Sequence, residues 1–254
     1  MTRRSMAGAH IAPQKKASPL NVALGVIGEL LITVAIVLIG FAFWQLYWTS
    51  FKVEGPRQQA IETYAQAHAP ATTNVGEERT DDPPSMDTSV DPNQIYGLIH
   101  VPKWNWMKIP LAETTSTFVL DQGFAGHYED TAQPGDIGNF SVAGHRRTYG
   151  NNFRWIDRLS PGDPVVVELD NHYITYTMET SEIVEADDPD NYRVVAPVID
   201  DVTWSQVPTE RWMTMTTCHP EYGNSQRFIV HLKFKSWTPK VTGVPSALAD
   251  EPAA

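Results

Sequence analysis

From Leu30 to Trp48 the chain reads LLITVAIVLIGFAFWQLYW, without one charged residue. Nineteen helical residues at about 1.5 Å each match the hydrocarbon core of a bilayer, roughly 30 Å thick. Trp44, Tyr47 and Trp48 gather at the far end, where amphipathic rings favour the headgroup level. Arg3, Arg4, Lys15 and Lys16 precede the run, and residues 1–19 hold no acid. The positive-inside bias then places a basic tail, residues 1–19, in the cytoplasm. Residues 20–48 form a single-pass transmembrane signal-anchor helix, and everything after it lies outside the cell membrane. A cleaved signal peptide would have a shorter apolar region ending at small residues; this run ends in aromatics.

The 254 residues leave room for one further domain of ordinary size. A net charge of −11 argues against nucleic acid as a partner, because phosphate recognition needs a basic surface. Cys218 is the only cysteine. It excludes an internal disulfide and a multi-cysteine metal site, and in an exported domain it is either a buried small hydrophobe or a reactive thiol.

Residues 49–93 read as an extracytoplasmic spacer. Arg57–Ala69 can continue as a helix, and Pro70–Pro92 is rich in Pro, Asp, Thr and Ser, a composition that buries too little apolar surface to order itself. From Gln94 to Ser236 short β-type runs recur: 95–101, 138–144, 164–169, 172–186, 212–217 and 227–234. Pro134-Gly135-Asp136 and Gly162-Asp163-Pro164 are turn formers between them. Short strands with regular turns indicate an all-β barrel or sandwich, with room for a short helix in 149–159. Residues 237–254 are polar and read as a flexible tail.

The run Thr214-Met215-Thr216-Thr217-Cys218-His219-Pro220 carries the thiol to the end of a strand. Arg227 opens the next one. There Phe228, Val230, Leu232 and Phe234 alternate toward the core, so Arg227 projects outward with Ile229, His231 and Lys233. A nucleophilic thiol needs a neighbouring histidine or cation. His219 points away from its neighbour Cys218, His10 and His68 lie outside the domain, and His100, His172 and His231 sit in strand patterns as surface or interface residues. His127 and His145 remain; Gly144 breaks a strand just before His145 and lets the imidazole emerge there.

Val142–Gly150 (VAGHRRTYG) and Thr214–Cys218 (TMTTC), followed by Arg227, resemble the signatures of the sortases. The second is similar to that family's T-L-x-T-C pattern with Met215 in place of Leu. GHYEDT (126–131), PGDIGNFSVAGHR (134–146) and CHPEYGNSQRFIV (218–230) most resemble class E, with class D next. The resemblance covers roughly residues 94–236. It implies a closed β-barrel of about eight strands with short helices, and a groove on its face. It implies a cysteine transpeptidase that cleaves an LPXTG- or LAXTG-like sorting signal between Thr and Gly through a thioacyl intermediate. Cys218 would attack, and His145 would protonate the leaving amine and deprotonate the incoming one. Arg227 would hold the substrate and stabilise the oxyanion; Thr216 and Thr217 would line the site. Partners would be secreted proteins bearing the signal and an amino-group acceptor on a cell-wall precursor or another surface protein; no cofactor is expected, and no metal cluster is visible in the sequence.

Departures from the family bear on specificity. Pro102–Met107 holds no tyrosine of the kind that class E uses to read the residue after Leu, which leaves Pro or Ala open there. Asp-Pro occurs at 82–83 and 91–92 without a following aromatic, unlike the lid of the pilin-building class C. An L,D-transpeptidase would need S-x-G-C where this chain has Thr216-Thr217-Cys218. A non-catalytic, membrane-tethered sortase-like β-domain that binds a surface partner is the alternative from another class. Asp187-Asp188 and Asp200-Asp201 could bind calcium, as loop carboxylates do in some sortases, but read first as solvated loop carboxylates.

Overall fold

The computed structural model describes residues 18–86 and 94–252. Runs of β-branched, aromatic and Met residues form eight strands: β1 (Ile95–Val101), β2 (Met107–Glu113), β3 (Ala125–His127), β4 (Gly138–Ala143), β5 (Pro164–Glu168), β6 (His172–Glu185), β7 (Arg211–His219) and β8 (Gln226–Pro239). They close into a barrel in the order β1-β2-β3-β4-β7-β8-β6-β5. The β2–β3 and β4–β7 pairs are parallel and the others antiparallel. Closure leaves no edge for another chain to pair with. Alternate residues point inward, so Phe140, Val142, Val167, Ile174, Met213, Met215, Val230 and Leu232 fill the interior, with Trp104 and Phe153 from connecting segments.

Helix α1 (Pro19–Phe43) is a unit of its own. Ser18 caps it by accepting from the Asn21 N–H at 3.3 Å, and Pro19 starts it without wasting a hydrogen-bond donor. None of its residues is buried. It is long and apolar enough to cross a membrane. The basic tail expected over 1–19 lies almost wholly outside the described residues.

Within the second unit, residues 45–254, the spacer and tail expectations are overturned in part. Helix α2 (Thr49–Ala67) packs on β1 and β2: the Tyr64 hydroxyl bonds to Tyr96 O and to Asp170 Oδ1, each at 3.0 Å, and Ile61 and Tyr64 cover Leu98. Residues 70–86 then lie along the barrel. Arg79 exchanges two backbone hydrogen bonds of 2.8 Å with Trp237, and the Trp237 indole N–H donates to Asp81 at 3.0 Å. The pairing explains why a Pro- and Asp-rich stretch is ordered: β8 extends to Pro239 and supplies the partner groups that its own sequence lacks. Trp237, expected to begin a flexible tail, is therefore a buried strand residue. Val244 and Leu248 pack on Val166 and Tyr173. Residues 87–93 of the expected spacer and 253–254 of the expected tail lie outside the described residues.

His100, His172 and His231 are buried rather than superficial. His100 bonds Glu168 at 2.7 Å and Glu251 at 3.0 Å, and Lys240 reaches the other Glu168 oxygen at 2.7 Å. Burial opposes the charge on His100, yet Glu168 and Glu251 hold its pKa above the ordinary value. Burial likewise opposes the charge on Glu168, and His100 and Lys240 hold that carboxyl below its usual range. Paired this way, the ions are tolerated inside.

Candidate active site

Strand β7 alternates between core and surface through its last turn of sequence. Met213 and Met215 point into the barrel, while Thr214, Thr216 and Cys218 point out. On β8 the residues directly opposite them are His231, Ile229 and Arg227 in that order. Cross-strand partners share a face, so the pairing of Cys218 with Arg227 puts thiol and guanidinium side by side at one end of a groove of about 380 Å³. Val194 and Val195, from a 3-10 segment over Pro189–Val195, pack on Ile229 and Val184 and build one wall. The Arg227 Nη1 donates to Asn224 O at 2.8 Å and Gln226 O at 2.9 Å, which ties the guanidinium to the β7–β8 turn.

The opposite wall is the end of β4. Its Ala143 stands beside Thr216 in parallel register, and the Gly144 N–H donates to Thr216 O at 3.2 Å. A side chain at Gly144 would meet the buried Phe153 ring at 2.9–3.0 Å, so glycine is required where the strand turns out of the barrel. His145 follows at the groove. Its Nε2 lies 2.8 Å from Asp121 Oδ1, and its ring stacks on Tyr149 at 5.2 Å. The Thr217 hydroxyl donates to Gly144 O at 2.6 Å, a buried bond that locks the Cys218 strand to the His145 turn. Thr216 Oγ1 sits 3.0 Å from the Tyr128 hydroxyl. Burial pushes the Tyr128 phenol pKa up, with Arg227 acting in the opposite direction.

All five expected residues, His145, Thr216, Thr217, Cys218 and Arg227, line this groove. His127 does not. It is fully buried, with Nδ1 on Glu113 at 2.8 Å and Nε2 facing Ala132 O at 3.0 Å. His219 turns away as the alternation requires and meets Arg146 Nη1 at 2.8 Å.

Three neighbours were missed by the sequence reading. Arg146 is buried behind the thiol strand, bonded to Asp157 at 2.8 Å and reaching Cys218 O at 3.5 Å. Tyr128 lay inside a quoted motif and could have been found there. Asp121 lies 24 residues before His145, with no local pattern to mark it. Among the described residues no cluster of His, Cys, Asp and Glu is arranged to hold a metal. Asp200 pairs with Arg193. Asp201 is drawn down to about 2 by the Gln206 N–H and the Thr203 hydroxyl.

Residues 99–235 match the family model described as the sortase domain. The chain is 35% identical over 243 residues to sortase SrtE1 of Streptomyces coelicolor, covering 93% of this chain but only 64% of that protein's length. It is 28% identical to sortase D of Bacillus subtilis, covering 82% of this chain and 97% of the relative. Among solved structures, the SrtA sortase from Actinomyces oris superposes with a TM-score of 0.64 at 39% identity, over 70% of this chain and 99% of the other. Sortase E1 from S. coelicolor, solved with a tripeptide in its active site, gives 0.55 at 40% identity, over 63% and 99%.

Proposed function

The chain belongs to the sortase family, and from that premise we propose that it is a membrane-anchored cysteine transpeptidase acting outside the cell, with its N-terminus in the cytoplasm. Its substrates are secreted proteins with an LPXTG- or LAXTG-like signal, cut between Thr and Gly. The acceptor is an amino group of a cell-wall precursor or of another surface protein. The observation that carries this reading is the pairing of Cys218 with Arg227 on adjacent strands, with His145 lining the same groove just past the end of β4, the strand on the other side of β7. A tripeptide in the active site of the S. coelicolor relative supports a peptide as the occupant.

In this mechanism the Cys218 thiolate attacks the Thr carbonyl, and Arg227 donates to the developing oxyanion. Donors already in place for that charge lower the barrier most. His145 protonates the leaving glycine nitrogen. The thioacyl enzyme then meets the acceptor amine, whose proton returns to His145. Thr216 and Thr217 line the groove beside the acyl chain, and Thr217 also holds the two reactive strands in register.

Incubating the full-length chain with a panel of sorting-signal peptides and a primary amine, read by mass spectrometry, tests this. The expected products are the Thr-terminated acyl part joined to the amine and the released Gly-terminated remainder. Cys218→Ala should abolish both cleavage and transfer while melting like the wild type. Substantial transfer by that variant would rule out the thiol as nucleophile.

A further inference from the structure

The imidazole of His145 is held from both sides by residues outside its own strand. Asp121 Oδ1 takes Nε2 at 2.8 Å, and the Tyr149 ring stacks against it with 28° between the planes. Asp121 is fixed by its place in the chain: it directly follows α3 (Thr117–Leu120), and its N–H donates to Thr117 O at 2.9 Å. Two residues later Gly123 takes φ +77°, where a Cβ would come within 3.0 Å of both the Arg57 side chain and Tyr149 O. The loop after α3 can therefore press against the Tyr149 backbone only with glycine there. The carboxylate and the stacking ring are thus brought to the histidine by one closed arrangement.

An ionised carboxylate has no proton to give, so the hydrogen in the Asp121–His145 bond is on Nε2. His145 lines the groove, and Nδ1 is the ring nitrogen that the Asp121 bond does not occupy, free by its chemistry to take up and give a proton. Resting on the transpeptidase reading above, we propose that Asp121 is a positioning residue that fixes His145 as the Nε2–H form and makes Nδ1 the atom through which every proton passes.

The steps balance on that basis. In acylation, the Cys218 thiol first gives its proton to Nδ1; the Sγ–C bond then forms as the Thr–Gly C–N bond breaks, and that proton moves from Nδ1 to the glycine nitrogen. Neutral imidazole remains with its Nε2–H still on Asp121. In transfer, the amine nitrogen bonds to the carbonyl carbon, the C–S bond breaks and returns the thiolate, and the amine proton moves to Nδ1. Asp121 keeps the ring from rotating between the two steps.

The test uses the full-length chain in lipid nanodiscs with nitrogen-15 histidine. Long-range proton–nitrogen spectra at about pH 8, above the ordinary histidine pKa, report which ring nitrogen carries the proton. Wild type should show His145 as Nε2–H. Asp121→Ala should lose that preference and reduce kcat by about 10²-fold with KM little changed, the scale of general acid–base contributions. Asp121→Asn keeps an oxygen that can accept, so it should retain the tautomer and fall between the two in kcat. An unchanged tautomer in Asp121→Ala, or wild-type kcat in both variants, overturns the proposal. Asp121 has 38% of its side chain exposed, so neither change should unfold the domain. Should Asp121→Ala fail to fold, the kcat of Asp121→Asn decides: an intermediate value supports the role and a wild-type value removes it. The spectra need no substrate. A chain inert toward every peptide sinks the transpeptidase reading while the spectra still answer for the pairing, and an active enzyme indifferent to Asp121→Ala sinks this proposal alone.

Discussion

Arg227 stands on the outward face of β8, opposite Cys218, and donates to the main-chain carbonyls of Asn224 and Gln226. Its loss removes no core packing. Arg227 is half-buried but belongs to no core cluster, so Arg227→Ala should shift stability by about 1 kcal/mol, the worth of the hydrogen bonds it gives up, yet lower turnover by about 10²–10³, the typical effect of one oxyanion donor. Arg227→Lys should restore little, because an ammonium lacks the planar fork of donors. The control is Lys233→Ala, further along the same strand in a surface ion pair with Glu210, which should leave turnover intact. Turnover and thermal denaturation measured on the same preparations check all three; a large loss of stability in Arg227→Ala would mean that the residue is structural. The outward direction of Arg227 was legible in the sequence because strand alternation is local; its role beside Cys218 came from the resemblance to the sortase signatures. Asp121 was not legible, because its meeting with His145 depends on how α3 closes over the barrel, which no short pattern records.

At the scale of elements, the segment between β6 and β7 changes the meaning of the outer face of β8. Alternation placed His231 correctly opposite the core, but what covers it comes from elsewhere. The Pro189–Val195 segment lies over that face, and a chain of bonds runs through it. Asn139 Nδ2 donates to Val194 O and Ala196 O at 3.2 and 3.0 Å, Thr214 donates to Asn139 Oδ1 at 2.8 Å, and His231 Nδ1 meets Thr214 at 2.9 Å. His231→Ala would strand buried partners, so it should cost about 1–3 kcal/mol in chemical denaturation. Burial holds the His231 pKa below the ordinary 6.5, against the pull of Glu182. As pH falls below 6.5, the unfolded chain takes up this proton before the folded one does, so the His231 contribution to stability declines there. The variant should lose that part of the acid dependence; equal acid slopes for variant and wild type would show that His231 is free to protonate in the fold. The same limit explains the other misses. β3 is only three residues long, too short for a period to show, and β2 follows a tight turn whose Pro and Trp residues masked its start.

At the scale of the whole molecule, the β-rich domain and the long apolar helix could be read in the sequence, since each has a strong period or a strong composition; that the strands close into a barrel came with the resemblance to the sortases. The dependence of the barrel on residues 49–86 could not be read, because those residues are ordered by partners that lie far along the chain. Lys240 donates to His68 O at 2.5 Å, Arg57 to Lys108 O at 3.1 Å, and Tyr64 to Tyr96 O at 3.0 Å. Ser50 also accepts from the Asn151 side chain at 3.2 Å, six residues after His145, so the first turn of α2 steadies the loop that carries the histidine. A fragment beginning at Gln94 removes all of these and uncovers Leu98, which Ile61 and Tyr64 bury. Burial of each such side chain is worth about 1.5–3 kcal/mol, so the loss should exceed about 4 kcal/mol even without the hydrogen bonds. For a chain of this size each kcal/mol moves Tm by about 2–4 °C. Calorimetry should therefore place the fragment 94–254 roughly 10 °C or more below the fragment 45–254, and its turnover should fall further than its stability alone explains, because the His145 loop is no longer held. Equal melting temperatures for the two fragments would mean that α2 and residues 70–86 only rest on the barrel, and equal turnover at a temperature where both are folded would remove α2 from the support of the active site.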